Sequence, residues 1–240
     1  MSDEFYVGYL PKAPAKLARR IARVAIGLVL AFSAIAAAFV LNQAPYAASR
    51  FEYGWFRQYR GVIEELPYPM LQTHDSTFLL VAPGKHGLSG AVRGLQGKAV
   101  KFEGSLIERA GDRMLEVRPE SLHRAAGILT PPAEPMVSLG EVKLRGEIVD
   151  SKCYLGVMNP GEGKVHRDCA ARCISGGVPP VFIVRDGFGA TRVLLLTGSD
   201  GRHLNGDVLS YVAEPLEIEG ELLRRGSHFI LKTETANFHR

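Results

Sequence analysis

The sequence predicts a mainly β protein: one N-terminal transmembrane helix followed by two tandem small β-barrels. Three observations predict this: an uncharged apolar run near the N-terminus, a wealth of turn-forming residues, and an internal repeat. With 240 residues, 46% apolar and 22% charged, and a mean hydropathy of +0.03, the chain can build packed cores, so disorder as the main state is excluded. The 26 Gly and 14 Pro follow no collagen-like period, which points to short strands and turns and away from a helical bundle.

The first element is Val24–Leu41, VAIGLVLAFSAIAAAFVL, which carries no charge and follows directly on Lys12, Lys16, Arg19, Arg20 and Arg23. Its 18 residues span roughly 27 Å as a helix, enough for the hydrocarbon layer and longer than the usual apolar region of a signal peptide. Residues 24–45 are therefore expected to be a retained anchor. The competing reading is cleavage at Ala44-Pro45-Tyr46-Ala47-Ala48, where small residues have signal-peptidase spacing. The positive-inside rule makes residues 1–23 a cytoplasmic tail and puts the main body across the membrane, in the periplasm if the membrane is a bacterial inner membrane. Within that tail, Phe5-Tyr6-Val7-Gly8-Tyr9-Leu10-Pro11 is aromatic enough to need a surface. Residues 46–60 place Phe51, Tyr53, Trp55, Phe56 and Tyr59 among Arg50, Arg57 and Arg60, as an interfacial aromatic belt would. The formal charge of +4 sits largely in the N-terminal cluster, so a basic face for nucleic acid is not expected on the folded domains.

From Gly61 onward, short apolar runs alternate with Gly and Pro: 77–82, 99–106, 114–118, 142–149, 180–184, 192–197, 216–223 and 229–233. At an offset of 116, residues 78–124 lie over 194–240 without a gap, with 12 identities in 47 positions, among them Leu79/Leu195, Gly104/Gly220, Arg109/Arg225 and His123/His239. Chance would give roughly three, so the block is a duplication. Gly61-Val62-Ile63 matches Gly146-Glu147-Ile148 at the smaller offset of 85, so the second copy has gained 31 residues between its first strand and its second or third. The copies are residues 61–124 and 141–240, and Pro131, Pro132 and Pro135 mark 125–140 as an extended linker. Each copy has about five strands in about 65 residues and one strand centred on glycine, which suits a small barrel that bends sharply to close, of the OB type.

The second copy reads Gly146-Glu147-Ile148-Val149-Asp150-Ser151-Lys152-Cys153, then Cys169-Ala170-Ala171-Arg172-Cys173, then Pro180-Val181-Phe182-Ile183-Val184. It resembles small secreted bacterial OB-like domains whose first strand ends in a D-S-K-C sequence followed by a C-x3-C segment and an apolar strand. The resemblance covers about 95 residues and implies fold and compartment without an activity. The first copy has no cysteines.

Chemistry concentrates in Cys153, His166, Cys169 and Cys173. If 164–174 is helical, the spacing puts His166, Cys169 and Cys173 on one face, with Cys153 approaching from the preceding strand or loop. Three thiols and an imidazole suit zinc, copper(I) or the edge of an iron–sulfur cluster, although the spacing is wider than in zinc knuckles. The reading favoured by an oxidising compartment is a disulfide from Cys153 to Cys169 or Cys173, with the third thiol buried. Asp150 either tunes this group or starts a loop. Gly84-Lys85-His86-Gly87-Leu88-Ser89-Gly90 lacks the ending of a phosphate-binding loop and reads as a turn. No nucleophile elbow, His-Glu-x-x-His or Cys-x-x-Cys-His occurs in the sequence. The expected function is a non-catalytic, single-span accessory subunit or assembly module of a membrane-protein complex, with no cofactor required. A metal or cofactor carrier using the Cys/His insertion, and a thiol redox protein, are the alternatives. The carrier reading is supported by a layout similar to the haem chaperone of cytochrome c maturation, whose His-x-x-x-Tyr motif is absent here.

Overall fold

The computed structural model describes residues 13–43, 48–126, 135–186 and 190–240. The aromatic tail 5–11, residues 44–47 of the cleavage reading and the linker prolines Pro131 and Pro132 lie outside them. The chain divides into two compact units, Met1–Tyr46 and Ala47–Arg240. The first holds helix α1 (Ala15–Leu41), which begins just after Pro14 and has no buried residue. Asn42 closes it, its backbone N–H and its side-chain amide both donating to Ala38 O at 3.0 and 2.8 Å. Helix α1 is long and apolar enough to cross a membrane. It takes Lys16, Arg19, Arg20 and Arg23 into its first turns, earlier than the apolar run alone suggests.

The second unit is β-rich. Its first sheet contains β1 (Ser49–Phe51), β2 (Arg57–Glu64), β3 (Met70–Gln72), β4 (Thr77–Val81), β5 (Ala99–Arg109), β6 (Asp112–Val117) and β7 (His123–Arg124), with the short helix α2 (Ser89–Val92) between β4 and β5. Its second sheet contains β8 (Val137–Asp150), β9 (Pro180–Arg185), β10 (Thr191–Gly198), β11 (Pro215–Arg225), β12 (His228–Thr233) and β13 (Phe238–His239). Helices α3 (Ser151–Leu155) and α4 (Arg167–Ser175) interrupt the chain between β8 and β9.

Each sheet closes on itself. The first runs β2-β3-β4-β6-β5 and back to β2, with only β4 and β6 parallel. The second runs β8-β9-β10-β12-β11 and back to β8, with only β10 and β12 parallel. The two barrels therefore share one topology, and β5 and β11, like β6 and β12, are related by the 116-residue offset. Gly104 marks the corner of the first barrel: before it β5 pairs with β2, after it with β6. Its counterpart Gly220 passes so close to the β12 backbone that a Cβ would clash with the Lys232 carbonyl oxygen, so the close approach there favours glycine. The extra residues of the second copy lie between its first and second strands, 151–179, where the first copy has the short turn 65–69.

Three apolar clusters hold the second unit together. Ile63, Leu71, Leu80 and Phe102 fill the first barrel. Ile148, Phe182, Leu196 and Leu231 fill the second. The third lies between the barrels and is built from matching positions of the two copies: Leu79 with Leu195, Ile107 with Leu223, Met114 with Ile230. Strand β4 shows why its sequence is a continuous apolar run: Phe78 and Leu80 point into the barrel, Leu79 and Val81 into the shared core, so both faces are buried. Polar groups stitch the same interface. The Tyr68 hydroxyl donates to Leu196 O at 2.9 Å and accepts from Leu204 N at 3.1 Å. Arg109 reaches Tyr154 O at 2.6 Å and lies over that ring, while its repeat partner Arg225 reaches back to the Glu64 carboxylate.

Two expectations change here. Phe51 and Tyr59 are not free belt residues: Phe51 packs on the shared core, and Tyr59 stands beside Phe78 and Phe102, because β1 and β2 both pair with β5. Tyr53, Trp55 and Phe56 stay exposed, with Arg118 over the Phe56 ring at 4.0 Å. Strand β8 begins at Val137, within the stretch read as linker, because its first residues pair with β11 around a bulge at Gly140.

Asp112, at the β5–β6 turn, has its pKa pushed up to about 7 by burial, with Arg192 of the other barrel opposing. The native state thus binds a proton that the unfolded chain releases near pH 4. Its contribution is complete at about pH 4 and is lost as pH rises through about 7. Asp112→Asn should flatten this fall. Urea unfolding at pH 5 and pH 8 should show the variant gaining on the wild type at pH 8 by up to a few kcal/mol.

Candidate thiol and imidazole site

Strand β8 ends at Asp150, whose carboxylate caps α3 by accepting from Cys153 N at 2.8 Å. That cap turns the chain so that Cys153 faces α4. The loop returns through a short 3-10 turn at Lys164–His166 into α4, which carries Cys169 and Cys173 one helical turn apart. His166 is buried, and its Nε2 lies 3.1 Å from Asp150 Oδ2. Cys153, His166 and Cys169 bring one ligand atom each within 4.8 Å of one another, and so do Asp150, Cys153 and Cys173. The fold thus assembles all four residues singled out in the sequence, and adds Asp150 in two roles, helix cap and imidazole partner. All three cysteines are free, with Cys153 Sγ and Cys173 Sγ 4.0 Å apart, so the expected bridge from Cys153 to Cys169 or Cys173 is not formed in this structure.

The first barrel contributes a residue that the sequence does not point to. Lys85 Nζ lies 2.7 Å from Cys169 Sγ and 3.7 Å from Cys173 Sγ. It stands on the turn closed by Ala82 N to His86 O at 3.0 Å, so the glycine-rich segment is a turn as read, but one aimed at the other barrel. Two devices hold it there. Lys152, buried just before Cys153, donates to Ala82 O at 2.8 Å and Gly84 O at 2.7 Å and pairs with Glu116 Oε2 at 2.5 Å. Beyond the turn, Gly87 N donates to Gly176 O at 2.9 Å, backbone to backbone.

The thiols are not equivalent. The Cys153 pKa is raised, first by the hydrogen bond it shares with Cys173 and then by burial and Asp150. Cys173 is shifted down, chiefly by that same bond and with help from Lys85, against burial and Asp150. Cys153 therefore holds its proton more tightly than Cys173 does. The bond to Cys169 raises the Lys85 pKa, so the amine stays protonated. Chemically the cluster can bind a soft cation, form a disulfide or be oxidised.

Asp150→Ala should cost about 2–3 kcal/mol in chemical denaturation, since it removes the α3 cap and strips the buried His166 of a partner. Asp150→Asn, which keeps a capping oxygen, should cost less.

Elsewhere, an open groove of about 500 Å³ on the second barrel is lined by Arg145, Arg185, Glu147, Glu217, His239 and Arg240. Its cations are engaged: Arg145 with Glu217 at 2.8 Å, Arg185 with Glu162, and Arg240 with Ser210 O at 3.0 Å. Compared with known proteins, the chain matches no family model, no curated protein and no solved structure.

Proposed function

We propose that the protein is a non-catalytic, membrane-anchored accessory subunit or assembly module of a membrane-protein complex, with its double barrel on the periplasmic side of a bacterial inner membrane. The observation that carries this reading is the pairing of one wholly unburied apolar helix with a β unit whose barrel interiors are filled by side chains. A filled barrel offers surface and not a reaction chamber. We read both barrels as OB-like, supported by five strands per ring, the same order in each, and one parallel closing pair. The basic residues at the start of α1 support a cytoplasmic N-terminus. Purification of the full chain in mild detergent should bring down stoichiometric integral membrane subunits. A reporter active only outside the cytoplasm, fused after Arg240, should be active. A protein that purifies alone, or an inactive fusion, would overturn the reading.

A second reading, a soft-metal carrier, is favoured by one observation: the convergence of Cys153, His166 and Cys169. Zinc or copper(I) would suit those donors. Metal analysis of the purified chain should then find about one equivalent, lost in the Cys153→Ser variant.

A further inference from the structure

We propose that Lys85 and Cys169 are a modification site, at which dioxygen installs a covalent Nζ–O–Sγ bridge between the first barrel and the second. Three observations carry this beyond the accessory reading. The first is distance. N–H···O bonds centre near about 2.9–3.0 Å, and sulfur is a larger acceptor than oxygen, yet Nζ and Sγ are 2.7 Å apart. That separation is short for a hydrogen bond to sulfur, and it is the span of two atoms bonded to one oxygen.

The second observation is preorganisation. A lysine side chain ordinarily samples many rotamers, so a covalent link to it needs a held partner. Here the turn that carries Lys85 is fixed on one side by Lys152 and on the other by the Gly87–Gly176 contact, which also positions the end of the helix that bears Cys169. The third is access and competition. Lys85 is exposed and Cys169 half-buried, so dissolved dioxygen reaches the pair, whereas Cys173 is buried. Cys173 already faces Cys153 at 4.0 Å, whereas Cys169 has the Lys85 amine at 2.7 Å.

The reaction balances as one thiol, one ammonium and one dioxygen giving the bridge, one water and one proton, which the ammonium releases to solvent to free the nitrogen lone pair. One oxygen atom enters between nitrogen and sulfur, with S–O and N–O bonds forming as the S–H and one N–H bond break. The second oxygen leaves as water with those two hydrogens. Sulfur and nitrogen each lose two electrons, and dioxygen takes all four. The link joins residues 84 positions apart and converts the contact between the barrels into a covalent one.

The test uses the full chain in detergent, purified without oxygen, then exposed to air and digested without reductant. Mass spectrometry should find the peptide containing Lys85 joined to the one containing Cys169, heavier than their sum by about 14 Da for one oxygen gained and two hydrogens lost. A thiol reductant should return both peptides unmodified. Lys85→Arg and Cys169→Ser should abolish the linked pair, and Cys173→Ser should keep it. Finding Cys169 only as a free thiol, a disulfide, an oxygenated sulfur, a metal ligand or a direct S–N link would overturn the proposal. The wild-type measurement decides even if a variant fails to fold.

Discussion

Replacing Lys152 with alanine should destabilise the protein by about 3–5 kcal/mol, the cost of leaving a buried carboxylate without its cation. Both side chains of the Lys152–Glu116 pair are less than a tenth exposed. Lys152 also satisfies Ala82 O and Gly84 O, so alanine leaves three acceptors to be resolvated. Lys152→Met should be nearly as harmful, since it restores bulk but not charge. The double variant Lys152→Met, Glu116→Leu should recover much of the loss, because removing both charges removes the desolvation problem. Chemical denaturation of the wild type, Lys152→Met, Glu116→Leu and the double variant completes the cycle. A single-variant cost below about 1 kcal/mol would show that water reaches the pair. The same variants should also loosen Lys85, because Lys152 holds the turn beneath it.

Gly176→Ala is the second large effect. A Cβ there would fall on Lys85 O, and a Cβ at Gly87 would fall on Gly177 O, so at this clasp two backbones touch with no room for a side chain. Overpacking usually costs about 1–3 kcal/mol by displacing side chains. Here only backbone can give, and moving it breaks the Gly87–Gly176 hydrogen bond, so about 3 kcal/mol or more is expected. Gly90→Ala is the control. It faces open space in α2, and it should be neutral or slightly stabilising. If both variants melt alike, the clasp carries no load.

Much of the architecture was legible because the duplication is ungapped over residues 78–124 and 194–240. The strands predicted at 99–106 and 216–223 are parts of β5 and β11, whose bounds differ by the repeat offset. Strand β3, Met70–Gln72, was not foreseen: three residues between prolines and turns carry no periodicity. The cysteines and His166 were visible as a spacing pattern, since α4 carries two of them at helical intervals. Lys85 was not, because nothing local distinguishes it from any turn lysine. Its position opposite Cys169 depends on how one barrel sits on the other, and that is fixed by Leu79, Met114, Leu195 and Ile230, residues that look like ordinary strand interior. The shared core was missed for the same reason: an apolar run says that both faces are buried, not against what.

The matched residues of that core have an architectural meaning. Leu79 with Leu195, Ile107 with Leu223 and Met114 with Ile230 all serve one interface, so equivalent faces of the two copies are buried together. A tether turns such pairing from a concentration-dependent encounter into an intramolecular one with an effective concentration on the order of millimolar. A covalent pair of this kind need not stay identical. Lys85 corresponds to Gly201 at the repeat offset, and the cysteine-bearing insertion has only residues 65–69 opposite it. A symmetric dimer would have carried two copies of any such site; the fused chain keeps one, with the amine drawn from one half and the sulfurs from the other.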